Sequence, residues 1–266
     1  MLSELVRQFS DVAGTLGPVG FMRLRKLITA GAMLSCDFDG LLVPNGRSMN
    51  DRLKKAVWAA RKTNEICVVT ARTTPYVLKE IGADVFSAVV CECNLDLVLP
   101  NGEISELVDV PSMAALQRDI FLFLKRTETH APVTIKRGGF TIDLRKVYLS
   151  QKQVLMAMMQ LIGEERGFRV VLTEECVDMT LPEHIQSKAL GLAVLKNRFP
   201  DIPVIAAARC AATDGPMFKM ADFGLFVEPD ENCALVTGWP DNFVCVQNPD
   251  MMVRILEMIP VVRNLN

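Results

Sequence analysis

Short uninterrupted apolar runs of four to six residues, each joined to a helical pattern, constrain this chain more than any other feature. They lie at 31–36, 66–69, 88–91, 203–208, 223–227 and 244–247. Runs of that length bounded by turn residues suit strands buried on both faces, as in a parallel sheet covered by helices. Helical patterns fall between them at 51–62 (capped by Asn50 or Asp51), 75–81 (closed by Gly82), 187–197, 216–221 and 249–258. The spacing predicts an α/β core with a Rossmann-like parallel sheet.

A different rhythm interrupts that core. Residues 112–126 and 150–166 read as helices. Strands at 134–137 and 140–144 flank Gly138-Gly139, a hairpin signal, and two more strands follow at 168–172 and 176–181. This makes an inserted α+β module. The segment 97–104, with Pro100-Asn101-Gly102 inside, reads as another hairpin. Before the first strand, Gly14, Gly17, Pro18 and Gly20 separate two short helical patterns. The organisation expected is an N-terminal helical extension (1–30), a core (31–107 and 186–266) and an inserted domain (108–185).

Composition removes several function classes. A chain of 266 residues buries a large core without staples. Its 29 basic and 31 acidic residues give a net charge of −2, so no general nucleic-acid-binding surface is expected. No apolar run is long enough to cross a membrane. Glu4, Arg7 and Asp11 interrupt the start of the chain, so no secretory signal is expected. The eight cysteines are scattered without a C-x-x-C pair, which suits a reducing, cytoplasmic setting with cysteine as a small hydrophobe. Two histidines, His130 and His184, do not make a His-rich zinc site. Trp58 and Trp239 are expected to anchor packing.

The chemistry-bearing residues sit where buried elements begin and end. Asp37-Phe38-Asp39-Gly40 follows the first strand. Two carboxylates two apart can divide labour, one as nucleophile and cation ligand, the other as general acid and base. Glycine admits a phosphate close to the backbone. Alone, the same tetrapeptide also fits a plain Asx turn. Thr70 ends the second strand, Lys188 opens the helix after the inserted module, and Asp214 follows the strand at 203–208. All would converge on one carboxyl edge of the sheet, where open α/β sheets bind ligands. Carboxylates with one lysine and one hydroxyl suit Mg²⁺ and a phosphoryl group.

These residues resemble the motifs of the haloacid dehalogenase-like (HAD) phosphohydrolases. Asp37-Phe38-Asp39-Gly40 resembles the first motif, with Leu41 where threonine is usual, and Val68-Val69-Thr70-Ala71-Arg72 the second. Ser187-Lys188-Ala189-Leu190 resembles the third, and the segment from Asp214 to Asp222 the end of the fourth. The insertion between the second and third motifs resembles the cap of the sugar-phosphate phosphatase branch. Glu92-Cys93-Asn94 followed by Pro100-Asn101-Gly102 resembles that branch's Glu-Asn-Gly hairpin. The resemblance implies a Mg²⁺-dependent phosphomonoesterase acting on a small phosphorylated sugar or related metabolite; separately, a monomer or homodimer is expected. It implies Asp37 as nucleophile, Asp39 as acid/base with its carbonyl on the metal, Thr70 and Lys188 on the phosphoryl oxygens, and Asp214 on Mg²⁺. A phosphomutase would use the same chemistry.

One departure stands out. Counting back from Asp214 puts Arg209-Cys210 where the family has Gly-Asp. A neutral thiol is a poor ligand for a hard cation. A catalytically impaired protein with a binding or regulatory role is therefore the alternative. Secondary candidates for substrate contact are Gly40, Arg72, Lys136 and Arg137. Arg72 could equally cap its helix and pair with an acid. For Lys136 and Arg137 a solvated hairpin is the favoured reading.

Overall fold

The computed structural model describes residues 2–43, 48–110, 112–209, 211–227, 242–246 and 250–264. The chain divides into two compact units, Met1–Ser105 with Lys188–Asn266, and Glu106–Ser187.

The first unit is built on an eight-stranded sheet. Its strands are β1 (Met33–Cys36), β2 (Glu65–Val69), β3 (Ala88–Cys91), β4 (Asp96–Val98), β5 (Ile104–Glu106), β10 (Val204–Ala208), β11 (Phe223–Val227) and β12 (Phe243–Val246). The order is β12-β11-β10-β1-β2-β3-β4-β5. The six strands from β12 to β3 pair in parallel; β4 reverses antiparallel to β3 across the turn at 92–95, and the hairpin expected at 97–104 joins β4 to β5. β1 therefore lies inside the sheet with the chain reversing on either side of it, which places its carboxyl end at a switch point.

Every residue of β1, β3, β10 and β11 is buried, as continuous apolar runs require. Helices α1 (Leu2–Thr29), α2 (Asp51–Ala60), α3 (Thr74–Glu80) and α8 (Met251–Asn264) share one core with the β1 side that carries Leu34 and Cys36. Helices α6 (Lys188–Arg198) and α7 (Ala211–Phe218) lie against strands β2, β3 and β10. Asn50 caps α2, its Oδ1 accepting the Leu53 amide at 2.9 Å. α7 begins at Ala211 rather than at Pro216, and Pro216 sits inside it.

The N-terminal extension is two helical halves joined at Gly17, whose φ of 69° and ψ of 164° break the helix before Pro18. Phe9 meets Phe21 edge-on across the break, with ring centroids 6.2 Å apart. The extension packs on α8 and on β12 at the sheet's end, and Arg254 pairs with Asp11 at 2.5 Å. It thus covers surface beside an edge strand. Among the described residues, no helix is long and apolar enough to cross a membrane.

The second unit has its own sheet, in the order β6-β7-β9-β8. The strands are β6 (Val133–Lys136), β7 (Gly139–Asp143), β8 (Arg169–Leu172) and β9 (Cys176–Thr180), all antiparallel. Helices α4 (Ala114–Arg126) and α5 (Leu149–Arg166) close a separate core of Leu116, Ile120, Phe140, Ile142, Leu155, Met159, Val177 and Met179. The methionine-rich face of α5 contributes to this core, with Met159 buried and Met156 and Met158 packed beside it.

Lys136 pairs with Gly139, so the tight turn is Arg137-Gly138, one position earlier than the Gly-Gly signal suggested. Gly139 is needed inside the strand for another reason. A Cβ there would stand 1.9 Å from the Met179 carbonyl oxygen of β9. Gly139→Ala should therefore separate β7 from β9 and destabilise this unit by about 1–3 kcal/mol. Hydrogen exchange followed by mass spectrometry should show faster exchange over 133–180 with β1 and β10 still protected. Unchanged exchange over 133–180 would contradict the close approach.

Candidate active site

β1 delivers the site. Asp37 is the first residue past the strand, and its amide still donates to Ala207 of β10 at 2.9 Å. Phe38 is fully buried and takes the inward position between Asp37 and Asp39. Its amide donates to Asp37 Oδ1 at 2.8 Å. Gly40 turns the chain at a φ of 75°, and its amide donates to Val43 at 2.7 Å. The expected approach of a phosphate to Gly40 thus finds that amide already used by the turn.

Thr70, one residue past β2, is fully buried. Its amide donates to Val90, its carbonyl accepts the Cys93 amide at 2.7 Å, and its Oγ1 accepts the Arg72 amide at 3.1 Å. Accepting that amide leaves the hydroxyl proton to donate.

Lys188 and Asp214 complete the centre from the first turns of α6 and α7. The Lys188 ammonium sits 2.7 Å from Asp37 Oδ1 and 2.5 Å from Asp214 Oδ1. Thr213 Oγ1 donates to the same Asp214 oxygen at 3.0 Å. Relative exposure is 7% at Asp37, 5% at Lys188 and 0% at Asp214, so the three charges are screened by protein and not by water. Burial pushes Asp37 from the usual 3.8 up to about 6; Lys188 opposes that shift and Asp214 adds to it. Burial alone would lower Lys188, but Asp214 and Asp37 more than offset it, so its pKa rises and it stays charged.

A strained turn ties these elements together. Glu92 and Cys93 both adopt left-handed backbone, at φ 44° and 67°. For residues with a Cβ this costs on the order of 1 kcal/mol each and persists only where the surroundings enforce it. Here the Glu92 amide donates to the Arg72 carbonyl and the Cys93 amide to the Thr70 carbonyl. The Cys93 carbonyl approaches Gly191 of α6 so closely that a Cβ there would lie 2.0 Å away. Thr70, Arg72 and the start of α6 are thereby held to one another.

The remaining candidates are placed differently. Arg72 pairs with an acid: its guanidinium grips both oxygens of Asp39 at 2.7 Å. Lys136 lies in the second unit, buried and ion-paired to Asp178 at 2.7 Å, so it is no part of a solvated surface. Thr141 donates to the same Asp178 oxygen at 2.6 Å. Arg137, also in the second unit, pairs with Glu106 at 2.8 Å. Cys210 and Trp239 lie outside the described residues.

Solved structures match this chain over nearly their full length. One is described as a trehalose-6-phosphate phosphatase related protein, with TM-score 0.69, 16% identity, and 88% of this chain and 99% of that one covered. Another is the C-terminal domain of C. albicans trehalose-6-phosphate phosphatase, with TM-score 0.65, 14% identity, and 90% and 96% covered. The chain has the fold of the capped HAD-like hydrolases. A HAD-like hydrolase from Bacteroides thetaiotaomicron also matches, with TM-score 0.63, 12% identity, and 85% and 98% covered. No protein-family model and no curated protein matches the sequence.

In this HAD-like frame the oxygen donors can be tested against a divalent cation. Among the described residues, no three His, Cys, Asp or Glu side chains converge as a ligand group. Asp37 and Asp214 do converge, since both place Oδ1 against one ammonium. Two hard carboxylates with a backbone carbonyl and waters fit a weakly held Mg²⁺ better than any softer metal.

The raised pKa of Asp37 makes a stability prediction. The folded state holds the Asp37 proton more tightly than the unfolded chain does, so this group's contribution to stability is complete below about pH 4. That contribution is lost as pH rises through about 6. Asp37→Asn removes the cost of ionisation. By differential scanning calorimetry its Tm should exceed the wild type's by about 3–6 °C at pH 7, with the gain shrinking towards pH 4. A lower Tm at pH 7 would contradict this balance of charges.

Proposed function

We propose that the chain is a phosphomonoester hydrolase acting on a small phosphorylated sugar or related metabolite, with Asp37 as nucleophile. The observation that carries this reading is the buried Lys188 ammonium bridging Asp37 and Asp214 just past the end of β1. The solved structures of this fold that are described as trehalose-6-phosphate phosphatases support the reaction class.

Asp37 Oδ attacks phosphorus, forming an aspartyl-phosphate while the bond to the leaving oxygen breaks. Little covalent work falls to the protein in such a transfer; positioning and charge do most of it. Lys188 neutralises the transferring oxygens and keeps Asp37 oriented, and Thr70 donates its hydroxyl to one of them. Asp39 gives a proton to the leaving oxygen and then takes the proton of the water that hydrolyses the intermediate. Asp37, Asp214 and the Asp39 carbonyl would hold Mg²⁺, which supplies further positive charge against the phosphoryl oxygens.

A second reading, a binding or regulatory protein of the same fold, is favoured by Arg209-Cys210 in the place of Gly-Asp. One experiment separates the two. Wild type, Asp37→Asn and Cys210→Asp are assayed on sugar phosphates and p-nitrophenyl phosphate across a Mg²⁺ titration. The phosphatase reading predicts wild-type turnover lost in Asp37→Asn, with Cys210→Asp reaching half-maximal rate at least about tenfold lower Mg²⁺. Because Asp37 must be ionised to attack, kcat/KM should rise with pH through about 6. Silence in the wild type with rescue by Cys210→Asp would favour the second reading.

A further inference from the structure

The two helices of the second unit lie side by side and run in opposite directions. Asp119, early in α4, pairs with Arg166 at the end of α5 at 3.1 Å. Phe123 and Thr127, at the end of α4, line a cleft with Gln151 and Val154 at the start of α5. Each helix turns one stripe to the unit's core, Leu116, Ile120 and Leu124 from α4 and Leu155, Met159 and Gly163 from α5. At 3.6 residues per turn the opposite stripes carry Leu122 on α4 and Val154, Ala157 and Leu161 on α5.

These outward stripes are apolar where solvated helices are polar. Leu122, Val154 and Leu161 are 45%, 55% and 54% exposed, and Ala157 is exposed between the last two. A contiguous apolar patch with a charged rim marks a contact surface. Here the rim is divided by sign. On α4 the outward charges are Arg118, Lys125 and Arg126, and on α5 they are Glu164 and Glu165. Asp119 points between the helices, where Arg166 and Arg118 approach it at 3.1 and 3.9 Å. The cations of α5 are turned elsewhere, Lys152 to the Glu174 carbonyl at 3.2 Å and Arg166 to Asp119.

The surface complementary to this one is the same surface on a second copy of the chain. When two copies meet face to face about a two-fold axis parallel to the helices, α4 of each lies over α5 of the other. Leu122 then meets Leu161, and Arg118 meets Glu164 and Glu165. The stems of Lys125 and Arg126 cover Val154, and the small Ala157 lets the helices approach. Every contact occurs twice, as an isologous interface requires. A two-fold axis across the helices would instead set α4 over α4 and bring Arg118 against Lys125 and Arg126. Like charges disfavour that arrangement.

We propose that the outer face of α4 and α5 is the interface through which two copies of this chain associate, α4 of each packing over α5 of the other in a four-helix arrangement. The proposal stands apart from the reaction the chain carries out. Helices of 13 and 18 residues side by side present a face of roughly 20 Å by 20 Å. That is smaller than a standard interface, so the dimer should be weak, with a Kd on the order of 10 μM.

Sedimentation velocity on the full chain tests this, over concentrations about twentyfold either side of that value. Wild type should pass from monomer to dimer. Leu161→Glu sets a carboxylate against Leu122 and should weaken association at least about tenfold. Arg118→Glu should weaken it by about as much, and so should Glu164→Lys with Glu165→Lys, because each brings like charges together twice. Combining all three charge reversals restores opposite signs and should return the Kd to within about threefold of wild type. All these side chains are exposed, so the variants should melt within a few degrees of wild type by circular dichroism. If Leu161→Glu fails to fold, the charge reversals decide alone. A wild type that stays monomeric throughout overturns the proposal and leaves this face to a different partner. A dimer that neither Leu161→Glu nor the reversals weaken overturns it too, as does a combined variant no better than its parents.

Discussion

The ammonium of Lys188 between Asp37 and Asp214 is the interaction on which the rest of the centre depends. Three charges share a space almost without water, and only the geometry of two contacts at 2.7 and 2.5 Å makes that tolerable. Removing the Lys188 ammonium would cost about 3–5 kcal/mol, because two carboxylates would stay buried and uncompensated. The cluster is nevertheless a poor way to gain stability, since apolar side chains would fill the same volume at lower cost. Its charge balance explains why it exists. Burial, aided by Asp214 and only partly offset by Lys188, pushes the pKa of Asp37 up to about 6. A carboxylate held near neutrality in this way is ready for a cationic or phosphoryl partner to complete the site.

The fold exists to bring those charges together. β1, β2, α6 and α7 come from sequence-distant parts of the first unit, and the parallel sheet places their ends at one edge. The turn at Glu92-Cys93 does the fine positioning. It binds the Thr70 and Arg72 carbonyls through its amides and presses its own carbonyl on Gly191. Strain at two left-handed residues is thus spent on registering Thr70 against Lys188. The Arg72–Asp39 clamp grows from the same support, which links the position of the second carboxylate to that of the first.

Much of this was legible in the sequence, for physical reasons. Strands buried on both faces must be apolar throughout, so the runs ending at Cys36, Val69, Cys91, Ala208 and Val227 stood out. Asp37, Thr70, Lys188 and Asp214 could be placed because strand ends and helix starts converge in a parallel sheet. What was not legible depends on pairings and backbone states that leave no pattern. Glycine would have announced a left-handed turn, but Glu92 and Cys93 do not. Whether Arg72 meets an acid or a ligand is decided by Asp39, which is not its sequence neighbour. Lys136 reads as a solvent-facing hairpin residue until Asp178 and Thr141 are found beside it. Pro216 suggested a helix start, yet the helix already runs from Ala211.

The central claim is that Asp37 is a nucleophile. The most direct test quenches the wild type during turnover of p-nitrophenyl phosphate and reduces it with borohydride. Peptide mass spectrometry then locates any homoserine formed from an acyl phosphate. The account predicts homoserine at position 37 and none in Asp37→Asn. Turnover without modification at position 37, or modification at another carboxylate, would contradict it.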